Sequence, residues 1–351
     1  MGEYIAFDSH KHYTLAEREE ADTRRAAQCR IEHRRGAIRK YLEKREPGTA
    51  VAVEATANWY WIVEEIEAAG LVPRLVHPRK AKLMMGMINK TDKLDVHGLN
   101  VLQRNGTLPT VWIPPARLRD LRELTRVRMM VAAHRTRLKN RIGATLSKYA
   151  LFLEGYSDAY GVRARTALHH QIRRLPPHTR YATEMLLEQL DFIEEQIAGQ
   201  QRRLKDLLEV TPQMALVDSL PGVGTILAAV IVLEIGDVQR FASAERLASY
   251  AGTTPRVHSS GDKMRFGRLR PDVNRYLRWA FVEAGNSVAV NHQRCPERHV
   301  SQLYRRLRAR RGHSKAIGAV ARHLAEACFH VLNRKEPYQD PAVQRGRARE
   351  A

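Results

Sequence analysis

Four acidic residues have types and contexts suited to metal-dependent chemistry. Asp8 follows the apolar run Tyr-Ile-Ala-Phe, and Glu54 follows Val-Ala-Val. Asp92 and Asp95 stand three positions apart in KTDKLD, a spacing that places both carboxylates on one face of a helix. Such a set could hold two divalent ions, one activating the attacking group and one stabilising the leaving oxygen in phosphoryl transfer. Acids at strand ends and on helix faces are also common without a metal, so the spacing alone leaves both interpretations open.

A serine in a cationic segment is the second candidate. Ser260 precedes Gly261 in a polar loop predicted within residues 254–263. A serine hydroxyl can attack phosphorus when nearby Arg and Lys side chains stabilise the developing charge, and His258 would act as a base or as a phosphate contact. Ser-Ser-Gly is also a common turn sequence. The cations expected to hold nucleic-acid phosphates around the two candidate sites are Lys90, Lys93, Arg256, Lys263, Arg265, Arg268, Arg275 and Arg278.

Residues 220–224, Leu-Pro-Gly-Val-Gly, predict a turn of the helix-hairpin-helix type. Gly222 and Gly224 would let the backbone approach a phosphate closely, while N–H groups at the start of the next helix face the anion. The alternative is an ordinary turn between two helices. The basic character of the chain favours phosphate binding.

The charge of the chain indicates its class of partner. Among 351 residues, 59 Lys and Arg oppose 38 acids, for a net charge of +21, which points to a polyanion and above all to nucleic acid. We find no run of about 18 apolar residues and no signal-peptide pattern in residues 1–15. A cytoplasmic protein without a membrane partner is therefore expected. Three scattered cysteines predict neither a disulfide framework nor a zinc site.

Apolar patterning predicts the elements that position these residues. The expected strands are residues 4–8, with 11–16 as a possible hairpin partner, and residues 50–54 and 71–76. The expected helices are residues 23–44 and 59–69. This order predicts an α/β layer with a mostly parallel sheet, whose acids lie at the carboxyl ends of strands where sites collect. The layer should end near Pro114 and Pro115.

Long helices follow. Residues 117–153 form a basic helix, and apolar residues at steps of three and four between 186 and 207 predict a second helix with a coiled-coil seam. The two are expected to pack either as an antiparallel hairpin within one chain or as a dimerisation arm. A compact helical unit at 216–290, a basic helix from residue 302 and a disordered tail beyond residue 335 complete the prediction.

Six stretches taken together resemble the DEDD transposases of bacterial insertion sequences, the insertion sequence 110 family. Their order and spacing agree with the family over roughly residues 4–333. Ala57 and Asp262 stand where the family more often has glycine, and neither departure removes a proposed ligand or nucleophile. The matching stretches are YIAFDSHK, VAVEATANWYW, KTDKLDVHGL, the long segment from LPGVG to VHSSGDK, GRLRPDVNRYLRWA and KAIGAVARHLA.

The resemblance implies a fold of class α/β plus α. It comprises a RuvC-like nuclease domain of ribonuclease-H type (residues 1–113), a coiled-coil connector (114–210), a mostly helical transposase domain (211–335) and a disordered tail (336–351). Asp8, Glu54, Asp92 and Asp95 would form the DEDD set that binds Mg²⁺, as two ions. Ser260 would form a covalent phosphoserine link to DNA, with Ser259 as the competing choice.

The resemblance also implies partners. These are donor and target DNA, a structured guide RNA encoded by the element, and a homo-oligomer, dimer or tetramer, in which the carboxylates of one subunit meet the serine of another. Two other functions stay open. A metal-only RuvC-like junction endonuclease would need the four acids but not Ser260, and a non-catalytic nucleic-acid-binding protein would need neither.

Overall fold

A computed structural model describes residues 2–86, 91–207, 211–260, 263–269 and 272–341. At residues 205–207, 257–260, 263, 264, 266 and 268 it describes the backbone alone. The chain divides into two compact units, Met1–Pro114 and Pro115–Ala351. The predicted boundary between connector and transposase domain falls on residues 208–210, outside the described residues, so that division stays a prediction.

The first unit contains a five-stranded sheet in the order β3-β2-β1-β4-β5. β1 pairs in parallel with β4, and β4 with β5, whereas β1, β2 and β3 are joined antiparallel. The prediction of a mostly parallel sheet is therefore wrong, because short turns join the first three strands and such turns connect only antiparallel neighbours. The strands are β1 (Glu3–Ser9), β2 (Tyr13–Glu20), β3 (Ala26–Glu32), β4 (Ala50–Glu54) and β5 (Val72–Val76).

The helix predicted at residues 23–44 is also wrong. Its place is taken by β3 and by the short helix α1 (Ala37–Leu42). The segment is rich in residues that favour helices, but β3 pairs with β2 over seven residues and thereby completes the edge of the sheet. Only Ile31 of β3 is buried, so the strand has almost no apolar pattern by which sequence alone could identify it.

Helices cover both faces of this sheet. Ile5 and Phe7 of β1 point into a core cluster shared with α1 and with α2 (Trp59–Ala68). Ala6, between them, points into a cluster on the other face, shared with α3 (Pro78–Met85) and α4 (Asp92–Arg104). The alternation of side chains along a strand thus explains why this short run is buried on both sides.

The second unit begins with two long helices that pack against each other, α5 (Ala116–Lys148) and α7 (Pro177–Leu207). Ile142 and Leu146 of α5 share a core cluster with Leu187 and Leu190 of α7. The 3.1 Å ion pair between Lys139 Nζ and Glu194 Oε1 continues these contacts in the opposite direction along α7, so the two helices run antiparallel. An antiparallel hairpin within one chain is confirmed, and the dimerisation arm stays a prediction.

A helical core forms the rest of the second unit. Helix α9 (Thr225–Ile235) runs through it, with seven of its eleven residues buried. Tyr338 packs against this core, and its backbone N–H donates to Ser219 Oγ at 2.8 Å. The disordered tail was thus predicted to begin too early, and residues 342–351 lie outside the described residues. The remaining elements are α6 (Arg165–Arg173), α8 (Pro212–Asp218), α9 (Thr225–Ile235), α10 (Ala244–Tyr250), β6 (Pro255–Ser260), β7 (Lys263–Leu269), α11 (Arg275–Asn291), α12 (His299–Arg311) and α13 (His313–Arg334).

Within the described ranges, no helix is both long enough and apolar enough to cross a lipid bilayer.

Candidate functional site

Two of the four candidate acids lie side by side at one edge of the sheet. Phe7 of β1 pairs with Val53 of β4 in parallel register, so Asp8 and Glu54 each follow one member of that pair. Asp8 is 8% exposed and Glu54 is partly exposed. Both acids therefore lie at the carboxyl ends of parallel strands, the edge at which sites in such sheets collect.

The other two acids occupy the first turn of α4. Thr91 caps this helix, because its Oγ1 accepts a hydrogen bond from Leu94 N at 3.3 Å. Asp92 and Asp95 follow in the first turn, where the partial positive charge of the helix terminus stabilises carboxylates. Lys93, on the same turn, is exposed. Lys90, predicted as its companion phosphate contact, lies outside the described residues.

His10 joins the two groups of acids. Its Nε2 lies 3.2 Å from Asp8 Oδ2 and 3.3 Å from Asp92 Oδ2. One ligand atom from each of these three residues lies within 4.8 Å of the others. Sequence reasoning missed His10, although a histidine two positions after a strand-end acid was the available signal. Among the described residues this compact group takes in Asp8, His10 and Asp92, and neither Glu54 nor Asp95 belongs to it.

The electrostatics of the edge favour a cation. Burial raises the pKa of Asp8 above its usual value; nearby His10 lowers it, and the charges of Asp92 and Asp95 raise it again. A bound cation most strongly stabilises the ionised form of a carboxylate that is buried and lies near two others. Because carboxylate oxygens are the ligands of hard divalent ions, the donor set at this edge fits a divalent metal.

A buried polar network fixes α4 against the sheet. Glu17 of β2, 1% exposed, accepts hydrogen bonds from Gln28 Nε2 at 2.7 Å and Asn100 Nδ2 at 3.1 Å, and its Oε1 lies 3.0 Å from His97 Nδ1. Gln28 also donates to the carbonyl of Lys93 at 3.2 Å, between the two α4 acids. The network therefore ties the first turn of α4 to β2 and β3.

The same network includes a second group of possible metal ligands, Glu17, Glu19 and His97. Arg104 and Arg24 already donate to Glu19, and amide donors occupy Glu17. Satisfied buried carboxylates of this kind are a structural polar network. We therefore assign this group to the positioning of α4.

The candidate nucleophile lies on a β-hairpin. Ser260 is the last residue of β6 and pairs with Lys263 of β7, and Ser259 pairs with Met264. The serine was predicted in a polar loop, but the backbone there is a strand, because cross-strand pairing can organise a polar segment that lacks apolar alternation. The side chains of Ser260, Lys263 and His258, and the residues Gly261 and Asp262, lie outside the described part of the chain.

Cations lie on this hairpin and on the helix that follows it in the chain. Arg256 of β6 and Arg265 of β7 are exposed, as is Arg275 at the start of α11. Arg278, one turn along α11, is partly buried. The backbone of Arg268 lies in β7, and its side chain is outside the description. Four of the predicted phosphate contacts thus lie on the two strands, and two more follow on α11; they are Arg256, Lys263, Arg265 and Arg268, then Arg275 and Arg278.

Hydrogen bonds clamp the segments that flank the hairpin. Asn274 caps α11, accepting from Tyr276 N and Leu277 N, and its backbone N–H donates to Tyr250 O at 2.9 Å. Its Nδ2 donates to Glu234 Oε2 at 2.8 Å. Glu234 is fully buried and also pairs with Arg126 of α5, Nε to Oε1, at 2.7 Å. This network ties α5, α9 and the start of α11 together.

The turn before α9 uses its two glycines differently. Gly222 has φ +78°, and a Cβ built there would lie 2.3 Å from the Ala284 carbonyl oxygen of α11. Gly224 precedes α9 with extended backbone, φ −122°, and no neighbouring atom lies within 4 Å of its Cβ position. Packing against α11 therefore already requires glycine at 222, whereas Gly224 is exposed and open to a ligand.

Comparison with known families gives a consistent result across both units. A transposase model of the DEDD, IS110 type matches residues 5–151, and a model described as transposase of the IS116/IS110/IS902 family matches residues 214–301. The chain is similar to the transposase for insertion sequence element IS1111A of Coxiella burnetii, 24% identical over 282 residues, which cover 80% of this chain and 76% of that protein. It is also similar to a probable family 20 transposase of Pseudomonas aeruginosa, 23% identical over 264 residues, 74% of this chain and 77% of the relative. An insertion element IS110 protein of Streptomyces coelicolor is 32% identical over 149 residues, 42% of this chain and 35% of the relative.

Proposed function

The chain belongs to the IS110 family of insertion-sequence transposases, enzymes that cut and rejoin DNA. We propose that it cuts and rejoins DNA with a Mg²⁺-dependent carboxylate site and a separate serine nucleophile. The convergence of Asp8 and Asp92 on His10 carries this proposal. Carboxylates from β1 and α4, which are far apart in the chain, meet at one edge of the sheet. Such convergence is what metal-assisted phosphoryl transfer requires.

The metal part of the proposal assigns Asp8, Glu54, Asp92 and Asp95 to two Mg²⁺ ions. When bound, the ions would supply charge to the attacking and leaving oxygens of the phosphodiester. The raised pKa of Asp8 supports this assignment, because burial and, to a smaller extent, the charges of Asp92 and Asp95 disfavour its ionised form, and a bound cation would offset both effects. The Glu17 network holds Asp92 and Asp95 in place, and Lys93 and Lys90 are assigned to DNA phosphates beside them.

The serine part assigns the covalent step to Ser260, with Ser259 as the competing residue. The serine Oγ would attack phosphorus and form a phosphoserine bond, while the bond from phosphorus to one deoxyribose oxygen breaks and leaves a free hydroxyl on the DNA. The serine proton would pass to a base such as His258. Exposed Arg256, Arg265 and Arg275 support this assignment, because cations stabilise the charge that develops on the phosphoryl oxygens.

We further propose the partners of the reaction. Donor and target DNA bind the basic surface, including the turn at Gly222 and Gly224 and the partly buried Arg278. A homo-oligomer, dimer or tetramer, would bring the carboxylates of one subunit to the serine of another, and a structured RNA from the element would guide the choice of DNA in the cytoplasm. The net charge of +21 supports nucleic-acid partners in general.

The test uses the full chain with DNA carrying the ends of its own element and RNA transcribed from the flanks. Wild type, Asp8→Asn and Ser260→Ala are incubated with Mg²⁺ or EDTA, and denaturing gels report cut DNA and protein-linked DNA. Asp22→Asn, at an exposed acid of the first unit, is the matched control, and Ser259→Ala tests the competing nucleophile. We expect a Mg²⁺-dependent adduct that Asp8→Asn and Ser260→Ala lose and that Asp22→Asn and Ser259→Ala keep; loss in Ser259→Ala alone would move the nucleophile to Ser259.

Two other results would redirect the assignment. Cutting without an adduct that survives Ser260→Ala would favour the metal-only junction endonuclease, a candidate that the Asp8–His10–Asp92 group also fits. An adduct that persists in Asp8→Asn or in EDTA would mean that the proposed carboxylates and their metal take no part in the reaction.

A further inference from the structure

We propose that His10 is a third ligand of the ion held by Asp8 and Asp92, and that its nitrogen shifts the preference of the site from Mg²⁺ towards first-row transition ions such as Mn²⁺. The inference rests on the proposed function in one respect, since it assumes that Asp8 and Asp92 bind a metal ion. It adds a ligand outside the four acids and a class of ion that those acids alone would not select.

The three side chains are spaced as ligands of one ion. His10 Nε2 is 3.2 Å from Asp8 Oδ2 and 3.3 Å from Asp92 Oδ2, and all three donor atoms lie within 4.8 Å of one another. Ligands bound at about 2.1 Å in an octahedron lie roughly 3 Å apart when adjacent and roughly 4 Å apart when opposite. One cation can therefore contact all three side chains with small movements.

The His10 ring is held in this position by the protein itself. It stacks on the Tyr13 ring, with centroids 4.6 Å apart and planes at 28°. The backbone N–H of His10 donates to the backbone carbonyl oxygen of Tyr13 at 2.9 Å, and Asn58 Nδ2 donates to the His10 carbonyl oxygen at 2.7 Å. Tyr13 also donates its hydroxyl to Asp92 Oδ2 at 3.0 Å. One tyrosine thus orients both the imidazole and a carboxylate, as supporting residues do around preorganised metal ligands.

The state of the Nε2 atom favours a ligand role over a structural hydrogen bond. His10 Nε2 is buried and, among the described residues, makes no hydrogen bond of good geometry, although two carboxylate oxygens lie within ion-pair distance. Buried polar atoms without a partner are uncommon and call for a specific explanation. An ion between the three side chains would satisfy this atom and both carboxylates together.

A nitrogen ligand changes which ions the site prefers. Mg²⁺ takes oxygen ligands almost entirely, whereas imidazole suits first-row transition ions, and Mn²⁺ combines acceptance of carboxylates with a higher affinity for nitrogen donors than Mg²⁺ has. The site is therefore expected to accept Mg²⁺ and to bind Mn²⁺ more tightly. His10 would be the residue that determines this difference.

The experiment measures metal binding directly, without DNA. The full-length protein is freed of metal by chelation and titrated with Mn²⁺, with free Mn²⁺ followed by electron paramagnetic resonance and Mg²⁺ measured by competition. We expect His10→Gln to weaken Mn²⁺ binding by at least about tenfold while changing Mg²⁺ binding by less than about threefold. His12→Gln, an exposed histidine of the same turn, is the matched control and should bind both ions as wild type does.

A spectroscopic measurement tests the same ligand independently of affinity. Electron spin echo modulation of the Mn²⁺-loaded wild type should show nitrogen coupling from a coordinated imidazole, and His10→Gln should lose it. Absence of nitrogen coupling in the wild type, or Mn²⁺ affinity that is equal or tighter in His10→Gln, would overturn the proposal and leave His10 as an ion-pair partner of the carboxylates. Asp8→Asn separates the two ideas: if that variant binds Mn²⁺ as wild type does, the proposed metal site itself fails.

Discussion

Replacing Gly222 by alanine should destabilise the second unit strongly. At φ +78° an alanine occupies the left-handed region, at a cost of about 1–2 kcal/mol. Its Cβ would also lie 2.3 Å from the Ala284 carbonyl oxygen and 3.2 Å from Val288 Cγ2. Backbone atoms cannot rotate away as a flexible side chain can, so the turn and α11 must separate, which costs roughly 1–3 kcal/mol more. The sum is about 2–5 kcal/mol, or a fall in Tm of roughly 4–20 °C for a unit of this size.

Gly224→Ala is the matched control for this prediction. Its backbone is extended and its Cβ position is open. The only expected cost is that alanine caps the start of α9 less well than glycine, which is worth less than about 1 kcal/mol. Calorimetric melts of both variants, together with DNA binding well below the lower Tm, make the comparison. Equal melting of the two variants, or a Gly222→Ala protein that melts with wild type but binds DNA poorly, would refute the packing argument and make Gly222 a ligand contact.

Three further perturbations have expected directions. Glu17→Ala leaves its buried hydrogen-bond donors without an acceptor and should cost about 2–4 kcal/mol in urea unfolding, whereas Glu32→Ala, at an exposed site, should stay within about 0.5 kcal/mol. The raised pKa of Asp8 means that its ionisation opposes folding as pH rises through the folded-state pKa. Asp8→Asn should therefore raise Tm in EDTA at neutral pH and reduce the gain in Tm on adding Mg²⁺. A variant that melts below wild type in EDTA would contradict this prediction. Arg256→Ala and Arg265→Ala should each weaken DNA binding across sequences and lower the slope of log affinity against log salt by about one, and an unchanged slope would remove that arginine from the phosphate contacts.

The parts of the fold that sequence predicted correctly are those in which a local pattern and the tertiary structure agree. β1 and β4 are short apolar runs that end in an acid, and a sheet covered on both faces requires such runs. α4 begins where Thr91 can cap it, so the spacing of Asp92 and Asp95 could be placed on one helix face.

The errors arise where pairing with a distant strand overrides local preference. β3 consists of residues that favour a helix, and its strand conformation comes from the hydrogen-bonding edge of β2. Ser260 was expected in a loop because its segment has no apolar alternation, yet the backbone pairs with β7. A polar strand at an edge, such as β3 with Ile31 as its single buried residue, has almost no apolar pattern by which the sequence could reveal it.

The site itself could be predicted only in part. The acids were identified by their positions at strand and helix ends, but His10 depends on a turn that brings its ring onto Tyr13 and towards α4. The role of Gly222 likewise depends on how closely α11 approaches the turn. Contacts between segments so far apart in the chain have no local signature in a single sequence.

The most direct test of the central claim is to identify the amino acid that becomes joined to DNA. The wild-type protein is reacted with DNA carrying its element ends in Mg²⁺, the adduct is digested with nuclease and protease, and mass spectrometry locates the residual nucleotide. The account predicts a nucleotide attached through a phosphodiester to the Ser260 side chain, absent when Asp8→Asn is used. A nucleotide on any other residue, or efficient DNA rejoining without a protein-linked nucleotide, would contradict it.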